Sequence, residues 1–497
     1  MGRVDKPLVN KMKEDFIYFG ILSLLYGIIF LFCLYNNISG ITFPLYVIAT
    51  IVFMQSFMKK IGFKLQKNSK PYMIGMVLLG ISSSITTSSF FHIFNWIGII
   101  LLLALLMMHQ FYNDNDWNIV EYIERLFILF LTSIGSIAYP FNHLSNYLKN
   151  NSSKQKKAIV SVIIGLSISL ILLGIILPIL MNSDAVFERV FRRIFEYINL
   201  RTLFGFVFVF IIGFIWIYSF FIALCKYNFP KKRSARINDF NSIIGITFTS
   251  ILAVIYVIYC IIQIVYLFMG MERGLPEGLT YSGYARSGFW ELIFVSILNF
   301  LIVLACMYLF KGNGILRAVL TIISGCTFII ALSAAYRMLL YIAEYHLTFA
   351  RVFVLWFLCI LMFVMIGVIM NIYSESFSLF KYIIIVVSVF YIGFSLSRPD
   401  YWIARYNISN TQNMTVQDVH FLMDELSLDA APAIAGINID EIEEGSHVSW
   451  DENALNRSMR YYFENILEEN QGIFFRRANY SRIRARLAAD RWINDFE

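Results

Sequence analysis

Apolar runs of about 20 residues recur along this 497-residue chain. A run of that length crosses about 30 Å of hydrocarbon as a helix, which satisfies its own backbone hydrogen bonds in lipid. Apolar residues make up 59% of the chain and charged residues 15%, against roughly 45–50% and 25% in soluble domains. The short alternating segments of an outer-membrane barrel are missing. We therefore predict an all-α integral membrane protein.

The runs predict a bundle of about 11 transmembrane helices, with 10 and 12 as the limits. No small-residue cleavage site follows Leu34, so the first run is interpreted as a permanent span. In chain order, the predicted spans are Phe16–Leu34, Ile41–Phe57, Pro71–Thr87, Phe91–Met108, Ala158–Met181, Thr202–Leu224, Ile243–Phe268, Phe289–Phe310, Ala318–Met338, Val352–Met370 and Tyr382–Phe394.

Basic clusters around Lys67, Lys154, Lys232 and Lys311 set the predicted orientation, because Lys and Arg concentrate in short cytoplasmic loops. These clusters share one face only if segment 119–139 does not cross the bilayer. We therefore predict a half-inserted or interfacial segment there, and a cytoplasmic N-terminus in the cell membrane. The C-terminal tail then lies on the external face, and one miscounted span would reverse it.

Two regions are predicted to lie outside the spans. Residues 184–200 have apolar and charged side chains on opposite sides of a helix, which is typical of an interfacial amphipathic helix. It is interpreted as an anchoring connector, with a lipid-sensing element as the alternative. Residues 1–396 form the predicted polytopic transmembrane domain, and residues 397–497 a polar, mainly helical tail.

Charge and helix signals support this division. From Arg398 onward the chain has 10 basic and 17 acidic residues, a balance of −7, whereas the whole chain has +7. In the tail, Thr415 and Asp418 resemble a capping box that opens a helix. Residues 451–469 and 479–492 have the period of two further helices.

The sequence lacks the motifs of soluble enzymes: a phosphate-binding glycine loop, a His-Glu-x-x-His helix and a Gly-x-Ser-x-Gly turn. The six histidines are scattered, and the six cysteines lie in or beside apolar runs. We therefore predict no catalytic residue, metal site or cofactor, and a membrane-embedded enzyme is the weakest alternative. Basic loops beside lipid indicate anionic headgroups rather than nucleic acid.

Two polar sites are predicted to bind a ligand where spans eight to ten meet the external face. The first, before and within span eight, consists of Tyr281, Tyr284, Arg286 and Glu291. The second, in span nine, consists of Tyr336, Arg337, Tyr341 and Glu344, with His346 and Arg351 following.

Charge burial limits the interpretation of these sites. A charge at the bilayer centre costs roughly 2.5–3.5 kcal/mol on insertion scales, so such groups should face the bundle interior and pair. Arg337, Glu344 and Arg351 are spaced by seven, so a continuous helix would place them on one face. The alternative is structural: arginines that snorkel, or ion pairs that lock spans eight to ten together. The hydroxyl groups of span three, Ser82, Ser83, Ser84, Thr86 and Thr87, are expected to bond to their own helix.

Several of these stretches resemble one bacterial membrane family. Residues 281–291 are close to its pattern Thr-Tyr-x-Glu-Tyr-Ala-Arg-x-Gly-Phe-x-Glu-Leu, with Gly283 where the family tends to carry glutamate. Similar stretches include Gly40-Ile41, Tyr336-Arg337, Ile403–Ile408 and Leu426–Pro432. The chain thereby resembles domain of unknown function 4173, within a broader 4153 grouping. The resemblance implies a multi-pass bacterial membrane protein without an established activity.

Two functional hypotheses follow. The first is non-enzymatic binding or transport of a small or lipidic ligand through a polar pocket between spans eight and ten. The second is a membrane sensor or assembly component whose tail binds a protein partner. In both, the lipid bilayer surrounds the spans.

Overall fold

The computed structural model describes residues 7–112, 114, 117–151, 165, 169, 172–173, 176, 179–184, 186–189, 200–226, 240–269, 289–374, 376–411, 414–439, 442, 452–471 and 475–496. The described residues form helices joined by turns and loops, and they contain no extended strand. Its α-helices are α1 Pro7–Glu14, α2 Phe16–Leu34, α3 Thr42–Ile61, α4 Lys70–Ile85, α5 Ser89–Phe111, α6 Ile119–Ile134, α7 Tyr139–Asn151, α8 Leu200–Lys226, α9 Ser242–Met269, α10 Phe289–Leu309, α11 Gly314–Tyr345, α12 Phe349–Tyr373, α13 Leu379–Leu396, α14 Pro399–Asn410, α15 Val416–Asp424, α16 Ala431–Ile434, α17 Glu452–Glu469 and α18 Tyr480–Phe496.

Nine of the helices described are long and apolar enough to cross a membrane: α2, α3, α5 and α8 to α13. The chain is therefore a multi-pass helical membrane protein, while the predicted number of about 11 spans stays a prediction. The predicted third span is α4, which has only 16 residues. The predicted fifth span, Ala158–Met181, lies largely outside the described residues, as does the predicted interfacial helix 184–200.

The first spans pack through buried aromatic side chains whose hydroxyl groups bond to one another. Tyr26 of α2 and Tyr46 of α3 are fully buried, and their hydroxyl oxygens lie 2.8 Å apart. The Tyr26 hydroxyl also lies 3.2 Å from Thr50 Oγ1. Buried hydroxyl groups need such partners because unpaired polar atoms away from water are costly. On the outside of α2, Ile21 and Phe32 are more than half exposed, as expected of side chains that face lipid.

The two ends of the bundle carry opposite ends of the chain. Lys11 of α1 donates to the Ile61 carbonyl at the end of α3 (2.8 Å), which defines the N-terminal face. At the other end of α2, the Asn37 amide donates to the Arg476 carbonyl (2.9 Å), which defines the tail face. The helices after residue 397 therefore pack opposite α1. Which face is cytoplasmic stays a prediction.

Both ends of helix α6 lie near the N-terminal face, while the predicted half-inserted or interfacial position of segment 119–139 stays a prediction. Near its start, Tyr122 stacks on Phe380 at the beginning of α13, with ring centroids 4.1 Å apart. Just after its end, the Tyr139 ring lies 5.3 Å from the Lys226 ammonium at the end of α8. Asn118 caps α6 through a reciprocal pair of hydrogen bonds with Glu121.

Buried polar contacts fasten the tail to the bundle. Asp429, 1% exposed, accepts hydrogen bonds from Thr86 Oγ1 (2.6 Å), Thr87 Oγ1 (2.7 Å) and the Thr87 amide (2.8 Å). Asn479, also 1% exposed, donates to the carbonyls of Ser39 (2.8 Å) and Thr86 (2.9 Å). The expectation of bonds within the same helix is confirmed for Ser83 and Ser84, which donate to the carbonyls of Leu79 (3.2 Å) and Ile81 (2.7 Å). It is wrong for Thr86 and Thr87, because α4 ends at Ile85 and frees both hydroxyl groups for the tail carboxylate.

Candidate functional site

The candidate site is built where α11 breaks at the tail face. His346 follows the last residue of α11 with φ 63°, a backbone angle that residues other than glycine rarely adopt. Thr348 then caps α12 by accepting the Arg351 amide (3.4 Å). The condition of one continuous helix through Arg337, Glu344 and Arg351 is therefore not met, since Arg351 belongs to the next helix.

Arg351 reaches back across this break. Its Nη1 group donates to the carbonyls of Tyr345 and His346, so a cation satisfies the exposed carbonyl end of α11. Its guanidinium carbon lies 4.3 Å from the Tyr341 ring centroid, in cation–π geometry. Among the described residues, no carboxylate lies within ion-pairing distance of Arg351, so its charge is not neutralised by them.

The tail fixes the same loop from the other side. Asn407 of α14 accepts the Leu347 amide and donates to the Leu347 carbonyl, both at 2.9 Å. Thr411 Oγ1 lies 3.5 Å from His346 Nδ1. The side chain of Asn407 thus replaces the backbone partners that Leu347 loses at the helix break.

These groups line a cavity of about 290 Å³ between the α11–α12 loop and the tail. The volume is near the lower end of the range for small-molecule sites, about 300–1,000 Å³. The lining combines a cationic residue, an acidic residue, an amide, hydroxyl groups and apolar side chains. Its lining residues are Tyr345, His346, Leu347, Thr348, Arg351, Asn407, Thr411, Met414, Asp418, Phe421 and Leu422.

Asp418 supplies the acidic group. It caps α15 as predicted, because its Oδ2 accepts the Thr415 amide (2.9 Å) and the Thr415 hydroxyl (2.7 Å). The cap leaves the charge of the carboxylate in place while fixing its orientation. Arg351 and Asp418 therefore present opposite charges to one cavity from different parts of the chain.

The predicted ligand residues are not all placed together. Tyr281, Tyr284 and Arg286 lie outside the described residues, as does the side chain of Glu344. Glu291 is exposed in the first turn of α10. There a carboxylate is favoured by the partial positive charge at the start of a helix.

The second predicted group divides along α11. Tyr336 and Tyr341 are both partly buried. Of these two, Tyr341 contacts Arg351. Arg337 is buried and donates to Gln263 of α9 (3.2 Å), which also accepts the Ser333 hydroxyl (2.6 Å). Eight residues of helix, about 12 Å, separate Arg337 from Tyr345 at the cavity.

The sequence analysis did not predict three of these residues: Gln263, which binds Arg337, and Asn407 and Asp418, which line the cavity. Asn407 lies within the family-like stretch Ile403–Ile408, which was the only available signal. Gln263 is a lone amide in an apolar run, and lone amides in spans are expected to bond to neighbouring helices. Within the described parts of the chain, no three His, Cys, Asp or Glu side chains come together to hold a metal ion.

A second charged cluster lies at the N-terminal face. Asp114, 3% exposed, accepts from His109 Nδ1 (2.9 Å) and the Tyr122 hydroxyl (2.7 Å), and pairs with Lys381 at 3.3 Å. Burial raises the pKa of Asp114, but these hydrogen bonds and charges outweigh it and hold the pKa below its usual range. The cluster joins α5, α6 and α13, so we assign it a structural role.

The sequence model of one family, described as "Domain of unknown function (DUF4153)", matches residues 73–437. The match covers the candidate cavity and agrees with the broader 4153 grouping expected from the sequence, without showing the narrower 4173 family. No curated protein and no solved structure matches the chain.

Proposed function

Because the chain belongs to the DUF4153 family, which carries no assigned activity, we propose a function from the geometry of the cavity. The protein binds a small ligand with an anionic oxygen group between the α11–α12 loop and the tail. The observation that carries the proposal is Arg351, which lines a cavity of about 290 Å³ and has no carboxylate partner among the described residues. A partly buried cation of this kind is favoured by an anion that enters the cavity.

The arrangement of charges narrows the ligand further. Arg351 suits a phosphate or carboxylate, and Asp418 suits an ammonium group, so a small zwitterion matches both. Met414, Phe421 and Leu422 supply the apolar part of the lining. Phosphoethanolamine has this chemistry, both as a free molecule and as a lipid headgroup.

Binding can be measured on the purified full-length protein by ligand-induced thermal stabilisation in detergent. The probes are inorganic phosphate, free phosphoethanolamine and a short-chain phosphatidylethanolamine. We expect phosphoethanolamine to bind more tightly than phosphate. Stabilisation by the lipid alone would assign the site to a headgroup, and stabilisation by the free compound would assign it to a solute. Stabilisation by none of the three overturns the proposal.

Variants test the two charged residues separately. Arg351→Gln should weaken binding about tenfold to a hundredfold, the loss of one charge-assisted hydrogen bond of about 1.5–3 kcal/mol. Arg351→Lys should give a smaller loss, because lysine keeps the charge but not the planar fork. Asp418→Asn retains a capping oxygen and should abolish the preference for phosphoethanolamine over phosphate. Arg405→Gln, an exposed arginine of α14 that does not line the cavity, is the matched control.

A sensor is the second candidate, and one observation favours it. Six of the eleven lining residues come from the chain beyond residue 397: Asn407, Thr411, Met414, Asp418, Phe421 and Leu422. Occupancy of the cavity would therefore be communicated to the tail directly. A sensor predicts that the ligand changes the protease sensitivity of the tail, whereas a binding protein or transporter without tail signalling predicts no change.

A further inference from the structure

The last helix of the tail exposes an apolar face. Tyr480, Ile483 and Leu487 are each nearly half exposed, and their spacing places them on one side of α18. Phe475, in the preceding turn, is 72% exposed. The opposite side of α18, with Ala485, Ala489 and Trp492, is buried against the rest of the tail. The exposed apolar side chains are therefore not needed to hold the helix against the rest of the tail.

Arginines surround this apolar face. Arg477, Arg484 and Arg491 are exposed, and the last two share the outward side of α18 with Ile483 and Leu487. Between Phe475 and Phe496 the chain has six arginines and two aspartates. The tail as a whole has a balance of −7, so positive charge is concentrated in this segment. An apolar strip bordered by arginines is typical of a helix at the surface of an anionic membrane.

The surface begins beside the ends of membrane spans. Arg476 Nη1 donates to the carbonyl of Phe32 (3.1 Å), and Phe32 is a 60%-exposed side chain near the end of α2. The Ile41 amide donates to the Ala478 carbonyl (2.8 Å) at the start of α3. The Tyr480 ring lies 4.9 Å from the guanidinium carbon of Arg398, two residues after α13. Aromatic and basic side chains at span ends mark the headgroup region.

From this juxtaposition we propose that α18 docks on the bilayer at the tail face and binds anionic phospholipid headgroups. We define the docking surface as Phe475, Tyr480, Ile483 and Leu487 with Arg477, Arg484 and Arg491. The apolar side chains enter the acyl boundary and the arginines bind phosphate oxygens. The surface is separate from the Arg351 cavity and does not depend on the function proposed for it.

The proposal can be tested on the full-length protein in lipid nanodiscs. Leu487→Cys is labelled with a fluorophore in a Cys359→Ser background, since the other five cysteines are buried. Phosphatidylcholine nanodiscs, with or without phosphatidylglycerol, contain a lipid with a nitroxide quencher near its headgroup. We expect stronger quenching in the anionic nanodiscs. Adding Arg484→Gln or Arg491→Gln should each lower the ratio of docked to undocked helix about fivefold, the equivalent of about 1 kcal/mol.

Arg460→Gln on α17 is the matched control and should leave quenching unchanged, because Arg460 lies outside the docking surface and pairs with Glu464 (2.8 Å). Arg351→Gln should also leave it unchanged. Equal quenching in the two kinds of nanodisc overturns the proposal, as does quenching that is insensitive to Arg484 and Arg491. Absence of quenching together with cross-linking of the labelled face to another protein also overturns it, in favour of a protein partner.

Discussion

Structural roles and proposed binding roles can be tested separately at single residues of the candidate site, and His346 offers the most direct test. A residue other than glycine at φ 63° costs of the order of 1–3 kcal/mol, and the His346 side chain also lines the cavity. His346→Gly should relieve the strain and raise the free energy of unfolding by about 1 kcal/mol, after the entropy cost of glycine. It should also weaken phosphoethanolamine binding about twofold to tenfold, by the loss of one hydrogen bond.

Thermal unfolding and ligand titration on the same preparation measure both effects of His346→Gly. A variant that is more stable and binds as tightly as the parent would contradict the assignment of His346 to the ligand. His346→Asn is the matched control, because asparagine keeps a Cβ, and with it the strained conformation at φ 63° and ψ 176°, together with a polar side chain.

Asp400 is a buried acidic residue whose ionised form is disfavoured by its surroundings. It is 4% exposed at the start of α14, and burial raises its pKa, partly offset by the hydrogen bond from the Ser427 amide (3.2 Å), while nearby Asp429 raises it further. A raised pKa in the folded state means that Asp400 contributes stability below its unfolded pKa of about 3.9. That contribution is lost as pH rises through the folded pKa.

Asp400→Asn should therefore raise the unfolding temperature at neutral pH, since the amide keeps an acceptor for Ser427 without the charge. The gain over the parent should shrink as pH falls towards 4. Unfolding followed by intrinsic fluorescence at several pH values measures the difference. A gain that does not change with pH would show that the ionised carboxylate is not the cause.

At the scale of elements, the tail is fastened through a close approach that only glycine allows. A Cβ added at Gly40, in the α2–α3 loop, would overlap the Arg476 carbonyl oxygen and approach Asn37 Oδ1 to 2.6 Å. Gly40→Ala should therefore displace segment 475–479 and destabilise the protein by about 1–3 kcal/mol, the usual cost of overpacking. Limited proteolysis of the tail should be faster in this variant.

Gly393→Ala in α13 is the matched control, because nothing lies within 4 Å of the added Cβ there. It should leave tail proteolysis unchanged. Equal proteolysis of the two variants would contradict the close contact between the α2–α3 loop and the tail.

Elements were predictable from sequence to the extent that local pattern determines them. The first span, Phe16–Leu34, agrees with α2, and the capping box at Thr415 opens α15. The exact position of the break at His346 was not predicted, because no Gly or Pro marks it within residues 339–351, which lie between the predicted spans nine and ten. The contacts Asn407–Leu347 and Asp429–Thr86 join residues 60 and 343 positions apart. Hydrophobic periodicity carries no information about such pairs.

In the whole molecule, different polar clusters lie on the N-terminal face and on the tail face. The Asp114 cluster closes the N-terminal face, whereas the tail, the Arg351 cavity and the docking surface of α18 share the tail face. Composition predicted a multi-pass helical bundle because burial in lipid constrains every span in the same way. The position of the cavity depends on how the tail folds back over the span ends, which composition does not specify.

The central claim is that an anionic group occupies the Arg351 cavity, and a cryo-electron-microscopy map of the purified full-length protein with phosphoethanolamine tests it most directly. We predict non-protein density between the α11–α12 loop and α15, with a phosphate within hydrogen-bonding distance of Arg351 and an ammonium beside Asp418. A map in which the cavity holds no ligand and Arg351 pairs with a protein carboxylate such as Glu344 would contradict it.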